Sequence, residues 1–149
     1  MGAKRRVIDR VIPIELGGYP VNYGFVPQTV FLDGDPFDAL VLGPPVPGGT
    51  LTRGVIVGLM FMEDGGVADS KVVLSPVGAD GKGKYTLTDE DRRNIGEYFR
   101  RYKQHEAGAS TSVPGWGSVD DGLEHVRQAH EFFNRCRVSA GAPCEVPVR

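Results

Sequence analysis

The sequence predicts an α+β domain, a small β-barrel followed by helices. Residues up to about 75 are rich in Val, Ile, Leu, Gly and Pro and poor in long helical patterns. Within them, short apolar runs are separated by Gly/Pro turns, as in small all-β units. Beyond Thr88 the apolar residues recur at helical spacing instead, which places helices after the strands.

Taken in order, Val7 to Ile14 reads as a strand interrupted or ended at Pro13. Gly17-Gly18 gives a turn before the extended, aromatic-rich segment Tyr19 to Val26. Ala39-Leu40-Val41-Leu42 reads as a buried strand, and Pro44 to Gly49 as a stiff-then-flexible connection. Gly54 to Met62 is apolar on both faces and should be fully buried; Gly65-Gly66 then closes a hairpin with Ala68 to Leu74. Thr88 with Asp91 is a capping-box variant opening a helix whose stripe is Ile95, Phe99 and Tyr102. A loop is expected around Pro114-Gly-Trp-Gly117. Ser118 with Asp121 then opens a second helix, with Leu123, Val126, Ala129 and Phe133 as its apolar stripe. The tail from Ser139 carries two prolines and reads as irregular.

The chain has 149 residues, one domain's worth (1–149), and 40% hydrophobic with 24% charged residues is a globular composition. The net charge of -2 and pI of about 5.9 argue against a general affinity for nucleic acid, because no basic excess replaces condensed counterions. Cys136 and Cys144 lack metal-ligand spacing and read as free thiols in a reducing compartment, with one bridge as the alternative. No run is long enough for a membrane span, and the N-terminal residues lack an apolar signal core; a cytoplasmic protein is expected.

The chemistry concentrates in Asp33-Gly-Asp35-Pro-Phe-Asp38, three carboxylates in six residues immediately before an apolar strand. Such charge density is costly unless cations neutralise it, and hard divalent ions take oxygen ligands. If the segment is extended, Asp33 and Asp35 share a face and Asp38 returns to the same cavity after Pro36. By itself the string is also what a solvated turn looks like. A calcium EF-hand loop fails, since its sixth position is Asp38 rather than Gly and its twelfth is Pro44 rather than Glu. Asp64 falls in the hairpin turn, while Asp69 and Lys71, two apart, point to one face. In isolation these residues describe an exposed hairpin, Tyr102-Lys103 a boundary tyrosine beside a solvated lysine, and Arg10 and Tyr23 little on their own.

In combination they are specific. The order Arg10, Pro20-Val-Asn-Tyr23-Gly, Asp33-Gly-Asp35-Pro-Phe-Asp38, Asp64, Asp69-Ser-Lys71, Tyr102-Lys103 and Gly115-Trp116 resembles the soluble family I inorganic pyrophosphatases, from about Asp9 to Phe133. The resemblance implies a small OB-like antiparallel β-barrel with two flanking C-terminal α-helices. It implies hydrolysis of inorganic diphosphate to two phosphates with several Mg²⁺ ions, Mn²⁺ or other divalent ions being alternatives. Asp33, Asp38 and Asp69 would hold the tightest metal. Asp38 would also face a second, with the bridging water as nucleophile and Asp35 as its general base; Asp64 with Asp69 would serve a further metal. Arg10, Tyr23, Lys71, Tyr102 and Lys103 would contact phosphate. A homo-oligomer, hexameric by resemblance, is expected, with neither nucleic acid nor membrane as partner.

This chain is an N-terminally short variant of that pattern. Only nine residues precede Arg10, so the family's Lys-x-Glu element has no counterpart at its usual spacing; the segments 10–19 and 75–88 are altered or compressed. Lys4, Arg5, Arg6 and Glu15 are the nearby candidates to replace the lost groups, although Lys4 to Arg6 reads more simply as a solvated basic start. Reduced activity is expected, the alternative being a non-catalytic relative that binds metal and phosphorylated ligands.

Overall fold

The structure, a computed structural model, describes residues 19–138. The strand expected over Val7 to Ile14, the site candidate Arg10, and Cys144 lie outside the described residues. Six strands and two helices follow in the order β1 (Asn22–Phe25), β2 (Asp38–Val41), β3 (Gly54–Asp64), β4 (Val67–Ala68), β5 (Lys71–Pro76), α1 (Asp89–Arg101), β6 (Thr111–Gly117) and α2 (Val119–Val138). The α+β class and the two helices agree with the sequence reading.

The six strands form one sheet in the order β1-β2-β5-β3-β4, with β6 also paired to β3. It is mixed rather than wholly antiparallel, because β2 and β5 run parallel, Leu40 opposite Val73. The cause is topological. The chain reverses twice between them, first through residues 42–53 into β3 and again at the β3 hairpin, so β5 returns in the direction of β2. Gly65 and Gly66 close that hairpin with φ of 61° and 80°, the paired positive values that tight hairpin turns demand. The returning strand is interrupted at Asp69-Ser70, yet one register runs through Glu63↔Ala68 and Met60↔Lys71, and Asp69 N still donates to Met62 O at 2.8 Å.

Two features differ from expectation. Thr111–Gly117 is a strand, not a loop. It pairs with β3 through a register shift between Phe61 and Glu63, opposite the stretch that holds Pro114, where a missing N–H is tolerated. On α2, Leu123 is 55% exposed, whereas Gly122 is buried. A Cβ at Gly122 would sit 2.8 Å from Ile56 Cγ2 and 3.0 Å from Gly58 O, so a bare glycine lets the helix approach β3 closely. Both helices open as their sequences predict. Thr88 and Asp91 form a reciprocal capping box, and Ser118 and Asp121 exchange bonds of 2.8 and 3.1 Å.

The period of two divides the strands between two cores. Leu40, Met60, Met62 and Val73 pack with Ile95, Tyr98, Phe99 and Tyr102 of the α1 side. Phe37, Ala39, Leu59 and Val72 pack with Ala129 and Val126 of α2. Asp38, Asp69 and Lys71 fall in phase with the first set. The acidic and basic candidates are thereby delivered to the α1 face.

Candidate active site

Lys71 organises the charges. Its side chain is fully buried, with Nζ 2.7 Å from Asp38 Oδ2 and 3.2 Å from Asp69 Oδ2. The register explains the meeting. Ala39 pairs with Val72, so one step back Asp38 lies beside Lys71, and Asp69 shares its face two residues earlier. Aromatic rings close the space around the ammonium, Tyr23 at 5.4 Å and Phe99 at 5.6 Å from ring centroid to Nζ.

The titration of these groups reflects crowding. Burial pushes the Asp69 carboxyl up to about 6; Lys71 opposes the shift, while the Asp38 and Asp33 charges add to it. Asp33 is raised too, first by loss of solvent and then by Asp35 and Asp38, against the bond its carboxylate accepts from Asp35 N. Burial alone would lower Lys71, yet Asp38 and Asp69 reverse the sign and its pKa is raised. The Tyr23 hydroxyl is held well above its ordinary value by burial and by the charge of Asp38, with which it hydrogen-bonds.

Asp33, Gly34 and Asp35 form a turn rather than extended chain. Asp35 N donates to Asp33 Oδ1 at 3.0 Å, Gly34 N to Phe31 O at 3.0 Å and Phe31 N to Asp35 O at 2.8 Å. Asp35 thus stands exposed beside the cluster, while Phe37, two residues on, is fully buried. Asp64, at the end of β3, pairs with Lys103, whose side chain is only 14% exposed, so this lysine is not a solvated one. Tyr102 caps α1 and is buried; it interacts with Lys71 on one side and lies under Lys103 Nζ, 5.6 Å from its ring centroid, on the other.

The structure therefore brings Tyr23, Asp33, Asp38, Asp69, Lys71 and Tyr102 into one electrostatic cluster, with Asp64–Lys103 as a second pair on the same face. Among the described residues, no three carboxylate, imidazole or thiolate side chains converge tightly enough to ligate a single ion as they stand. The donor set nonetheless fits a hard cation: it is all oxygen, and two of its carboxyls, Asp33 and Asp69, are raised by desolvation and by neighbouring carboxylates, which a bound cation would relieve.

Several supporting residues were not among the site candidates of the sequence. Asn22 uses its amide to accept from Val46 N at 3.0 Å and donate to Pro44 O at 2.9 Å, pinning the loop after β2. Tyr19 stacks on Tyr23 at 5.2 Å, and Phe99 lines the ammonium. These roles depend on tertiary neighbours far apart in sequence. Cys136, expected as a free thiol, is disulfide-bonded. No helix among the described residues is long and apolar enough to cross a membrane.

Comparison with known proteins identifies the fold and the family. Residues 3–134 match the model of the Pyrophosphatase family, described as inorganic pyrophosphatase. An inorganic pyrophosphatase from Halobacterium salinarum is 39% identical over 136 residues, covering 86% of this chain and 75% of its own. The solved inorganic pyrophosphatase of Coxiella burnetii is 37% identical with a TM-score of 0.70, covering 77% of this chain and 73% of that one. That of Neisseria gonorrhoeae superposes with a TM-score of 0.77 at 29% identity, covering 86% and 77%. The acidic turn, the buried lysine and the tyrosines thus sit in a fold shared with solved pyrophosphatases, and the chain belongs to the inorganic pyrophosphatase family.

Proposed function

We propose that this protein hydrolyses inorganic diphosphate to two phosphates with divalent metal ions, Mg²⁺ first among them and Mn²⁺ as a substitute. The observation that carries the reading is the buried Lys71 held between Asp38 and Asp69 on one sheet face, with Tyr23 and Tyr102 around it. Asp33, Asp38 and Asp69 would hold the tightest ion, Asp38 would share a second, and Asp64 with Asp69 would serve another. When bound, the ions supply Lewis-acid activation of water and neutralise phosphate charge.

The chain's own residues supply the rest. Asp35 is the general base: its exposed carboxylate accepts the proton of the attacking water, and its backbone bond to Asp33 fixes where that carboxylate stands. Lys71 and Lys103 present point charges to the diphosphate oxygens, and the Tyr23 and Tyr102 hydroxyls orient them. Arg10 is assigned to the same phosphate set from the sequence pattern. The homo-oligomeric form implied by the resemblance and the cytoplasmic location expected from the sequence belong to this proposal, and sedimentation of the full chain checks the assembly state.

The decisive experiment is phosphate release from diphosphate with Mg²⁺, comparing the protein with Asp35→Asn. The variant is expected to lose about 10²- to 10⁴-fold in kcat, the usual contribution of a positioned base, with its thermal midpoint unchanged because Asp35 is exposed. Equal turnover by both proteins, or no metal-dependent release above background, overturns the assignment.

A further inference from the structure

The acidic turn rests on α2 as well as on the sheet, through a relay that begins with two α2 side chains. Gln28, in the segment between β1 and β2, has a φ of 57°, a left-handed conformation that a side chain other than glycine resists. His130 Nδ1 lies 2.8 Å from the Gln28 carbonyl oxygen. A carbonyl only accepts, so Nδ1 carries the proton and Nε2 is left as an acceptor. Asn134 Nδ2, 3.3 Å away, donates to that Nε2 and holds the tautomer.

From this anchor each of the next three residues makes a bond that ties the segment to α2 or to the acidic turn. The buried Thr29 donates its hydroxyl to Val26 O at 2.6 Å and accepts from Phe37 N at 2.9 Å. Val30 N donates to Ala129 O of α2 at 3.1 Å, and Phe31 N to Asp35 O at 2.8 Å. Below them Phe31 and Phe37, the rings flanking the acidic residues, pack on His125 of α2 at 6.2 and 6.3 Å, and His125 is itself fixed by Nδ1 on Asp121 O at 2.8 Å.

We propose that His130, oriented by Asn134, is a positioning residue: it holds Gln28 in the left-handed region and so fixes the turn that carries Asp33 and Asp35 and leads into Asp38. The inference rests on the reading of those carboxylates as metal-binding and proton-accepting groups. His130 touches neither substrate nor metal; it acts through the backbone.

The test joins hydrogen exchange of the metal-free protein with steady-state diphosphate hydrolysis, for the parent, His130→Ala and His130→Asn. Asparagine places an amide N–H near the position of Nδ1 and restores the bond. His130 is exposed, so neither variant is expected to unfold the chain. In His130→Ala, exchange across 28–37 should quicken about fivefold, as for loss of one hydrogen bond, with α1 and β3 unchanged. The kcat should fall about three- to tenfold while KM stays within about twofold, and His130→Asn should recover both readouts. Exchange that is unchanged, that rises evenly over the whole molecule, or that asparagine does not restore overturns the proposal, as does local loosening without loss of kcat. If even the parent fails to hydrolyse diphosphate, the functional reading has failed, and with it the catalytic meaning of His130, whereas the exchange data still show whether it holds the turn.

Discussion

The same strands face two different environments. Toward α2, β2, β3 and β5 present Ala39, Leu59 and Val72, which with Phe37 make an apolar core with the ring of His125 at its margin. Toward α1, one residue out of phase, they present Asp38, Asp69 and Lys71 among the aromatic rings of Tyr23, Phe99 and Tyr102. Side-chain alternation lets one sheet carry both faces, so packing on one side can hold in place a charge cluster that would not hold itself. The α1 face thus carries the charge cluster together with the apolar core of Leu40, Met60, Val73 and Phe99, whereas the α2 face carries apolar packing.

The comparison breaks most strongly on the α2 side. Phe37→Ala removes a fully buried ring and should destabilise the protein by about 3–5 kcal/mol in urea titrations, with added Mg²⁺ doing no more for the variant than for the parent. On the α1 side, Lys71→Met leaves Asp38 and Asp69 facing each other without their cation. It should cost about 3 kcal/mol without metal, and Mg²⁺ should raise its thermal midpoint more than the parent's. If Mg²⁺ helps both variants equally, the two faces are not distinct in the way described.

A pH titration sharpens the α1 side alone. Asp69 titrates near 6 in the folded protein against an ordinary 3.8, so the folded state keeps a proton that the unfolded chain has released. Without metal, its contribution to stability is fully present below 3.8 and lost as the pH rises through about 6. Cation and proton compete for the same oxygens, so Mg²⁺ affinity by calorimetry should weaken as the pH falls through that window. An affinity that is flat across the window removes Asp69 from the ligand set. The smallest effect belongs to Leu123→Gln, which should change stability by less than about 0.5 kcal/mol because the side chain faces outward.

That last residue also shows what the sequence could and could not convey. The Leu123, Val126, Ala129, Phe133 pattern locates α2 correctly, but the close approach of Gly122 to Ile56 and Gly58 rotates Leu123 out of the contact, and no local pattern reports so near a backbone. The strand β6 was hidden because Pro114, Gly115 and Gly117 are loop residues by composition; pairing along β3 overrides that preference. The capping boxes at Thr88 and Ser118, the Gly65-Gly66 hairpin and the acidic string were legible because each signal lies within a few residues. The ion pairs of Lys71 with Asp38 and of Lys103 with Asp64 span 33 and 39 residues. They could be reached from sequence only through resemblance.

The uninterrupted register from β3 across the break at Asp69-Ser70 into β5 has a consequence for the order in which the cluster assembles. Asp64, Asp69 and Lys71 belong to one hairpin, a local structure of the kind that forms within about 1–10 μs. Asp38 arrives only when β2 docks in parallel on β5, a pairing that must close a longer loop and is intrinsically slower. Until it arrives, Lys71 has Asp69 but not the 2.7 Å bond to Asp38. With the ligand set proposed above, metal affinity would report on the docking of β2, and a mutation that slows that docking would delay metal binding without altering any of the proposed ligands.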